Sequence, residues 1–284
     1  WRERLYPSKQ LLDTAIRSVG RVEVAGFGGE YVGTAWVVAP GVAVTNRHVA
    51  LLFARGTGTN VTMRPDPTGR PYTPCVDFAE ELGRGRSHEV RVASVLYIAD
   101  DDDLSPDVAF LRLDAPAEYL PPPIPLATTG PSAGQVVTTI GYPAQDSRND
   151  AADQGRIFEG IFDVKRLAPG EVVAVEATSF THDCTTLGGS SGSVILDVAS
   201  GRAVGLHFAG RYLEANFAVS AETIREHLRR AGLPEAAPVT SPALPGQRPE
   251  PTIVREQLDG RQGYAEEFLG PDALRVPLPT LSGN

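Results

Sequence analysis

The chain has 284 residues, of which 42% are hydrophobic, enough for one large or two small domains with a sizeable core. The formal net charge of −9 argues against direct binding to nucleic acid or to an anionic membrane surface. No apolar stretch approaches the roughly 20 residues of a membrane span. The chain opens with Trp1 and shows no signal peptide, so we expect a trimmed form of a longer protein.

The N-terminal extension, residues 1–19, carries Leu11, Leu12, Ala15 and Ile16 at helical spacing. We expect a short amphipathic helix packed on the next domain, with a propeptide as the alternative. After the extension, the 29 Gly and 24 Pro favour frequent turns and therefore an all-β domain, which we place at residues 20–232.

Short apolar or alternating runs predict the strands of this domain, at residues 20–55, 90–98, 135–140, 157–164, 171–176, 193–196, 203–208 and 216–219. Polar segments at 56–89 and 145–155 indicate loops. The acidic run at 100–103 lacks the ligand spacing and internal Gly of a calcium loop, so we expect solvated loop and no metal.

The Pro-rich segment 121–125 is predicted to link two halves of the domain, about 20–120 and 125–220. A closing helix is predicted at 220–230, with Ser220 as its N-cap. The next segment, 233–251, contains six Pro and indicates a semi-rigid linker.

Only two cysteines occur, Cys75 and Cys184. So few favour a reducing compartment, here the bacterial cytoplasm, with secretion as the alternative. A disulfide bond between Cys75 and Cys184 is the alternative to two free thiols.

The segment 187–195, Leu-Gly-Gly-Ser-Ser-Gly-Ser-Val-Ile, has the pattern of a nucleophile loop. Glycines on both sides of Ser191 allow a sharp turn and close approach to a ligand. The apolar residues that follow indicate a buried strand behind the loop. An ordinary Gly/Ser loop is the alternative, and Ser190 and Ser193 fit the Gly-x-Ser-Gly frame less well than Ser191.

A serine nucleophile needs a base and an acid that orients the base. His48 ends an apolar run, and Asp107 stands just before an alternating strand. The order His48, Asp107, Ser191 is that of chymotrypsin-like proteases. A core histidine and a strand-end cap are the alternative roles of His48 and Asp107, and Asp103 is the second choice for the acid.

Five stretches carry a family resemblance, at 45–49, 107–109, 141–143, 188–193 and 205–208. Together they resemble the trypsin-like serine peptidases, with bacterial glutamyl endopeptidases as the nearest group, over residues 20 to 230. The resemblance implies two perpendicular six-stranded antiparallel barrels, with the triad in the cleft between them. It also implies an oxyanion hole made by the N–H groups of Gly189 and Ser191.

The resemblance assigns substrate-binding roles to Thr185, Thr186, His207, Phe208, Gly210 and Arg211. Thr185 stands where trypsins carry an Asp, which disfavours basic P1 residues. Thr186 and His207 match positions that bind an acidic P1 side chain in glutamyl endopeptidases, although His207 could equally be a barrel histidine without a role in specificity. Ser190 replaces the Asp of many zymogens, so we expect local bonds or a partner to set the oxyanion loop.

The tail, 252–284, resembles the lead-in to DNA/RNA non-specific endonucleases of the endonuclease G type, whose own active-site residues would lie beyond Asn284. A tail that folds back on the barrels is the alternative.

The resulting hypothesis is a serine endopeptidase with an acidic P1 preference, acting on protein or peptide substrates without a cofactor. It could process itself or release a fused or partner nuclease or other effector. The alternatives are a catalytically silent binding or regulatory module and, less favoured, an esterase.

Overall fold

The computed structural model describes residues 1–27, 31–83, 87–100, 106–146, 150–211 and 214–236. Within these residues the chain forms two closed six-stranded antiparallel barrels and one separate hairpin. The strands are β1 (Val19–Val24), β2 (Gly33–Ala39), β3 (Val42–Thr45), β4 (Ala54–Thr57), β5 (Asn60–Met63), β6 (Pro74–Asp77), β7 (Glu89–Ile98), β8 (Ala109–Leu113), β9 (Val136–Gly141), β10 (Arg166–Val175), β11 (Ser179–His182), β12 (Val194–Asp197), β13 (Ala203–Arg211) and β14 (Ala215–Ser220). The predicted fold class, two chymotrypsin-like barrels, is confirmed.

Barrel 1 has the strand order β1-β2-β3-β8-β7-β6, and β6 closes it by pairing with β1. Its interior is filled mainly by Val, Ala, Leu, Ile and Phe side chains, such as Val37, Phe53 and Leu111, which are fully buried. Closure into a barrel leaves no sheet edge unpaired, and the apolar side chains of the strands fill the interior.

Barrel 2 has the order β10-β11-β14-β13-β12-β9. Here β9 pairs with both β10 and β12, so the segment that ends in Gly141 lies beside the strand that follows the nucleophile loop. A Cβ atom on Gly141 would lie 1.8 Å from Ser193 Oγ, so only glycine fits there.

The helices are α1 (Arg2–Leu5), α2 (Lys9–Arg17), α3 (Arg47–Phe53), α4 (Ala151–Phe158) and α5 (Ala221–Arg230). Helix α2 packs its buried Leu12 and Ala15 on the core, while Leu11 stays partly exposed. Helix α5 begins after Ser220, whose hydroxyl accepts a hydrogen bond from Thr223 N, so the predicted N-cap and closing helix are confirmed. No helix in the described part of the chain has the length and apolarity needed to cross a membrane.

Two local predictions are wrong. No strand forms at 157–164: helix α4 covers 151–158, including part of the loop expected at 145–155, and residues 159–164 form turns and loop. Asp150 caps α4 through Asp153 N, and Glu159 ends it in a left-handed conformation. The loop expected at 56–89 contains β5 and β6. Strand β6 is only four residues long, and backbone pairing with β1 and β7 decides its structure.

Lys165 joins the two barrels and the N-terminal helix. Its ammonium group is buried and donates to the carbonyls of Ile16 and Phe78 and to the Glu81 carboxylate. A buried cation with three acceptors is satisfied, whereas loss of one partner would be strongly destabilising. Cys75 and Cys184 are both free thiols in the structure.

Candidate active site

His48 and Asp107 meet because their strands are neighbours. Strand β3 leads into α3, which carries His48, and β3 pairs with β8, which follows Asp107. Both carboxylate oxygens of Asp107 are used: Oδ2 lies 2.5 Å from His48 Nδ1, and Oδ1 accepts the His48 backbone N–H at 3.0 Å. Asn46 Nδ2 donates to the Asp107 carbonyl at 2.9 Å and fixes the aspartate from behind.

This contact determines the imidazole tautomer. A carboxylate accepts, so the proton lies on Nδ1 and the lone pair of the ring lies on Nε2. The His48 side chain is 48% exposed and that of Asp107 only 16%, so the ring is accessible from solvent while the acid is largely covered. Asp103, the second choice for the acid, lies outside the described residues.

Ser191 is held close to α3 by Gly33 and Thr34 of β2. A Cβ on Gly33 would lie 2.8 Å from Val49 of α3 and 3.1 Å from the Ser191 carbonyl, so α3 and the Ser191 loop both pack closely against this glycine. Thr34 N donates to the Ser191 carbonyl at 2.8 Å. The structure therefore brings His48, Asp107 and the Ser191 loop to the same end of the barrel interface.

The oxyanion loop can be followed one peptide plane at a time, because each backbone polar group needs a partner. Ala144 N donates to the Gly188 carbonyl at 2.7 Å, which turns that oxygen away from the nucleophile. Thr34 Oγ1 donates to the Gly189 carbonyl at 3.0 Å. Gly189 has φ of +82°, and a Cβ there would lie 2.5 Å from the Tyr142 carbonyl.

Ser190 takes the place of the acidic zymogen residue and is 3% exposed. Its hydroxyl accepts Leu187 N at 3.4 Å and its N–H donates to the Leu187 carbonyl at 3.1 Å, so local bonds hold the loop. The remaining planes are fixed by Ser193 N to Ser190 O at 2.9 Å and Gly192 N to His207 O at 2.9 Å.

Among the described residues, three N–H groups of the loop have no protein acceptor, those of Gly188, Gly189 and Ser191, whereas the other N–H groups from Leu187 to Ser193 are paired. The N–H groups of Gly189 and Ser191 are the two that the family resemblance assigns to an oxyanion hole. Gly189 and Ser191 are both partly exposed, so a ligand can reach this part of the loop. Two such N–H groups, in a loop held by other bonds, can stabilise a negatively charged oxygen.

Beside this loop lies a cleft of about 650 Å³. It is lined by Ser191 and by every residue to which the sequence assigned substrate binding, namely Thr185, Thr186, His207, Phe208, Gly210 and Arg211. Phe158 of α4 also lines it, so the helix that the sequence analysis missed forms part of one wall.

His207 and His182 form a buried pair behind the cleft. His182 Nε2 lies 3.3 Å from His207 Nδ1, and both rings are at most 3% exposed. Burial lowers the pKa of His182 to about 4 and lowers the pKa of His207 well below its usual value, with the nearby His182 as a second cause. Both rings are therefore neutral at pH 7.

The tautomers of the pair follow from His182 Nδ1, a buried nitrogen without a hydrogen-bond partner. An unpaired buried N–H is rarer than an unpaired acceptor, so the His182 proton belongs on Nε2, where it donates to His207 Nδ1. His207 then carries its proton on Nε2. The ring can offer this N–H to a ligand in the cleft.

Asn216 is a cleft residue that the sequence analysis missed. Its Oδ1 accepts the Thr186 hydroxyl at 2.6 Å, and its Nδ2 donates to the Cys184 carbonyl at 2.8 Å. A Cβ on Gly210, its partner across the β13–β14 ladder, would lie 2.5 Å from Asn216 Oδ1. The carboxamide thus lies against Gly210 in the wall of the cleft, a placement that no local sequence pattern indicates.

The charges that line the cleft are mixed. Arg211 lies 4.0 Å from Glu214, and Asp146 and Asp183 also line the walls. Asp183 accepts the Glu171 N–H at 2.6 Å, so part of its carboxylate is already used. These acidic groups oppose an anionic ligand at the rim, whereas Arg211 and the neutral His207 donor favour one.

Comparison with known proteins gives the class. The family described as trypsin-like peptidase domain matches residues 33–206, more than half of the chain, and the chain belongs to this family. A probable serine protease of Lysobacter enzymogenes is 30% identical over 242 residues, covering 76% of this chain and 62% of that protein. The chain thus spans less than two thirds of that relative's length.

Two solved structures share the fold. A serine endoprotease from Yersinia pestis superposes with a TM-score of 0.52 at 18% identity, over 79% of this chain and 66% of that chain. The active form of a protease from M. tuberculosis gives 0.50 at 19% identity, over 80% and 86%. At this level of identity the likeness concerns the fold alone.

Proposed function

We propose that the chain is a serine endopeptidase that cleaves protein substrates through an acyl-enzyme. Ser191 attacks the scissile carbonyl while His48 Nε2 accepts the hydroxyl proton. Asp107 holds the tautomer of His48 and stabilises the imidazolium that forms. His48 then donates the proton to the leaving amine, and water releases the acyl group in a second round of the same steps.

The observation that carries this proposal is the pair of unpaired N–H groups at Gly189 and Ser191. A silent module would gain stability by pairing them, for instance by turning the Gly188 carbonyl toward Ser191 N. That carbonyl instead accepts Ala144 N at 2.7 Å. The oxyanion hole is already open, which favours an enzyme over a binding module.

We further propose a preference for Glu or Asp at P1. The His207 Nε2–H and the Arg211 guanidinium supply donors for a carboxylate, and the Asn216 carboxamide next to Gly210 should restrict the length of the P1 side chain.

The test is cleavage of an unstructured protein by the wild type and by Ser191→Ala, with the products sequenced by mass spectrometry. Ser191-dependent cuts after Glu or Asp support both the peptidase and the pocket. Cuts after Lys or Arg would show that Asp183 and Glu214 dominate the pocket and would reject the acidic preference. An absence of Ser191-dependent cuts and of labelling by a fluorophosphonate would favour the silent module.

Two variants separate the parts of the pocket. His207→Phe removes the donor but retains the ring, and should lower kcat/KM for Glu substrates while leaving other P1 residues less affected. Asn216→Ala removes the carboxamide next to Gly210 and should raise kcat/KM for longer P1 side chains about tenfold, within the range for one or two methylene groups. Unchanged P1 profiles in both variants would contradict the proposed pocket.

Self-processing and release of a fused effector are further proposals, supported only by composition. The linker expected at 233–251 and the tail at 252–284 lie outside the described residues beyond Ala236. Intact-mass analysis of the purified chain tests them directly: a mass loss from the C-terminal end in the wild type, absent in Ser191→Ala, is the expected result. An unchanged mass in both would contradict self-processing.

A further inference from the structure

Thr34 contacts the oxyanion loop of barrel 2 from barrel 1. It lies on β2, is fully buried, and pairs with Arg21 in the barrel 1 sheet. Its side-chain hydroxyl donates to the Gly189 carbonyl at 3.0 Å, and its backbone N–H donates to the Ser191 carbonyl at 2.8 Å. One residue of barrel 1 therefore binds two carbonyls in the loop of barrel 2.

The two carbonyls belong to peptide planes that control the oxyanion hole. The plane between Gly189 and Ser190 lies between the two unpaired N–H groups, so its rotation changes the angle between them. The plane after Ser191 sets the direction of the nucleophile's own backbone. Thr34 thus fixes the spacing of the hole and the position of the nucleophile with a single side chain and its own amide.

Thr34 is itself held on its other side. Thr45 Oγ1 donates to the Thr34 carbonyl at 2.8 Å. A Cβ on Gly192 would lie 1.9 Å from that carbonyl, so only glycine at this position allows the loop to lie this close to β2. Thr45 is three residues before His48, so the same contact chain ties the histidine segment to the nucleophile loop.

We propose that Thr34 is a positioning residue that keeps the oxyanion hole open. Ser190 stands where many zymogens carry an Asp and cannot form an ion pair, so the hydrogen bonds from Thr34 in barrel 1 hold the loop instead. The inference rests on the proposed peptidase function. Since the hydroxyl is absent from the substrate cleft, its loss should affect the transition state rather than substrate binding, because the hole acts on the developing oxyanion.

The test uses two pairs of proteins that differ by one hydroxyl: wild type against Thr34→Val, and Thr34→Ser against Thr34→Ala. Peptide hydrolysis and the rate of fluorophosphonate labelling are measured for each. In both pairs, loss of the hydroxyl should lower kcat and the labelling rate about 10- to 100-fold, somewhat less than loss of a direct oxyanion donor. KM should change less than twofold.

The second pair keeps the test valid if Thr34→Val does not fold, because the comparison of Thr34→Ser with Thr34→Ala still measures the effect of the hydroxyl. Equal kcat within each pair would overturn the inference while the wild-type activity upholds the peptidase. A Thr34→Ser protein as slow as Thr34→Ala would also overturn it, since packing by the methyl group would then be responsible. A wild type that neither cleaves nor labels would overturn the proposed function and the inference together.

Discussion

The two barrels have the same number of strands and the same antiparallel pairing, yet they bury different chemistry. The interior of barrel 1 is filled mainly by Val, Ala, Leu, Ile and Phe, and its acid–base pair lies at its rim with both Asp107 oxygens in hydrogen bonds. Barrel 2 buries two neutral histidines and leaves the Gly189 and Ser191 N–H groups without a protein acceptor.

This difference shows a division of labour. In barrel 1 both carboxylate oxygens of Asp107 are already hydrogen-bonded, although Trp36 Nε1 and Asn46 Oδ1 are buried without partners. In barrel 2 we expect the N–H groups of Gly189 and Ser191 to find their acceptor in the substrate. Unpaired or desolvated polar groups cost stability, and folded proteins tolerate them mainly where function needs them. The contacts of Thr34 connect barrel 1 to the loop of barrel 2 that contains Gly189 and Ser191.

The largest effect should come from breaking the acid–base pair in barrel 1. In Asp107→Asn, the amide can donate to His48 Nδ1, which favours the wrong tautomer and leaves no lone pair on Nε2. We expect kcat to fall about 10⁴-fold with the fold intact. The control is Asp114→Asn, which breaks an exposed ion pair with Arg91 in the same barrel. Peptide hydrolysis and circular dichroism check both, and equal activity in the two variants would contradict the role of Asp107.

A smaller effect should follow from a change in barrel 2 alone. In Gly189→Ala, the new Cβ would collide with the Tyr142 carbonyl and the Tyr31 hydroxyl, and φ of +82° would be strained. The oxyanion hole should shift, and kcat should fall about 10²- to 10³-fold.

Gly134→Ala is the matched control for this substitution. Gly134 has a similar φ of +77°, but a Cβ there meets nothing within 4 Å. It should lose about 1 kcal/mol of stability and keep its kcat. Similar kinetics in the two variants would mean that backbone strain, and not the geometry of the hole, limits the reaction.

The smallest effect concerns the buried histidines and stability against pH. Burial lowers the pKa of His182 from 6.5 to about 4. Between these pH values the histidine is protonated in the unfolded chain but neutral in the folded chain. Stability should therefore fall as pH drops from 6.5 to about 4, by roughly 2 kcal/mol at pH 5 from His182, and His207 adds to the loss.

Urea unfolding at pH 7 and pH 5 measures this loss. His182→Asn should reduce the difference between the two pH values, whereas a change at the exposed His88 should not. An unaltered pH difference in His182→Asn would show that barrel 2 does not owe its acid sensitivity to this pair.

Much of the fold and the site could be predicted because the relevant signals are local. Short apolar runs predicted most strands, and Ser220 marked the start of α5. The order His48, Asp107, Ser191 pointed to residues of which the structure joins the first two by hydrogen bonds and places the loop of the third against β2 beside α3. The errors at α4 and β6 arose where the chain lacks a strong local period and tertiary pairing decides the structure.

Thr34 and Asn216 could not be found in this way. Thr is common in strands, and an Asn in a strand does not by itself indicate a site. Each residue matters only because another segment lies opposite: the Gly189 carbonyl for Thr34, and Gly210 with Thr186 for Asn216. The left-handed Gly189 was visible as a glycine, but which N–H groups remain unpaired depends on bonds from Ala144, Thr34 and Leu187.

The sequence by itself determined the many short strands and, through the resemblance of five stretches to trypsin-like peptidases, the class of fold and the nucleophile, base and acid proposed for the site, because side-chain chemistry and glycine placement are written locally along the chain. Only the tertiary structure decided which side chains line the cleft and what holds the oxyanion loop. These properties are set by hydrogen bonds between residues far apart in the chain, such as Thr34 to Gly189, and by the burial that keeps His182 neutral.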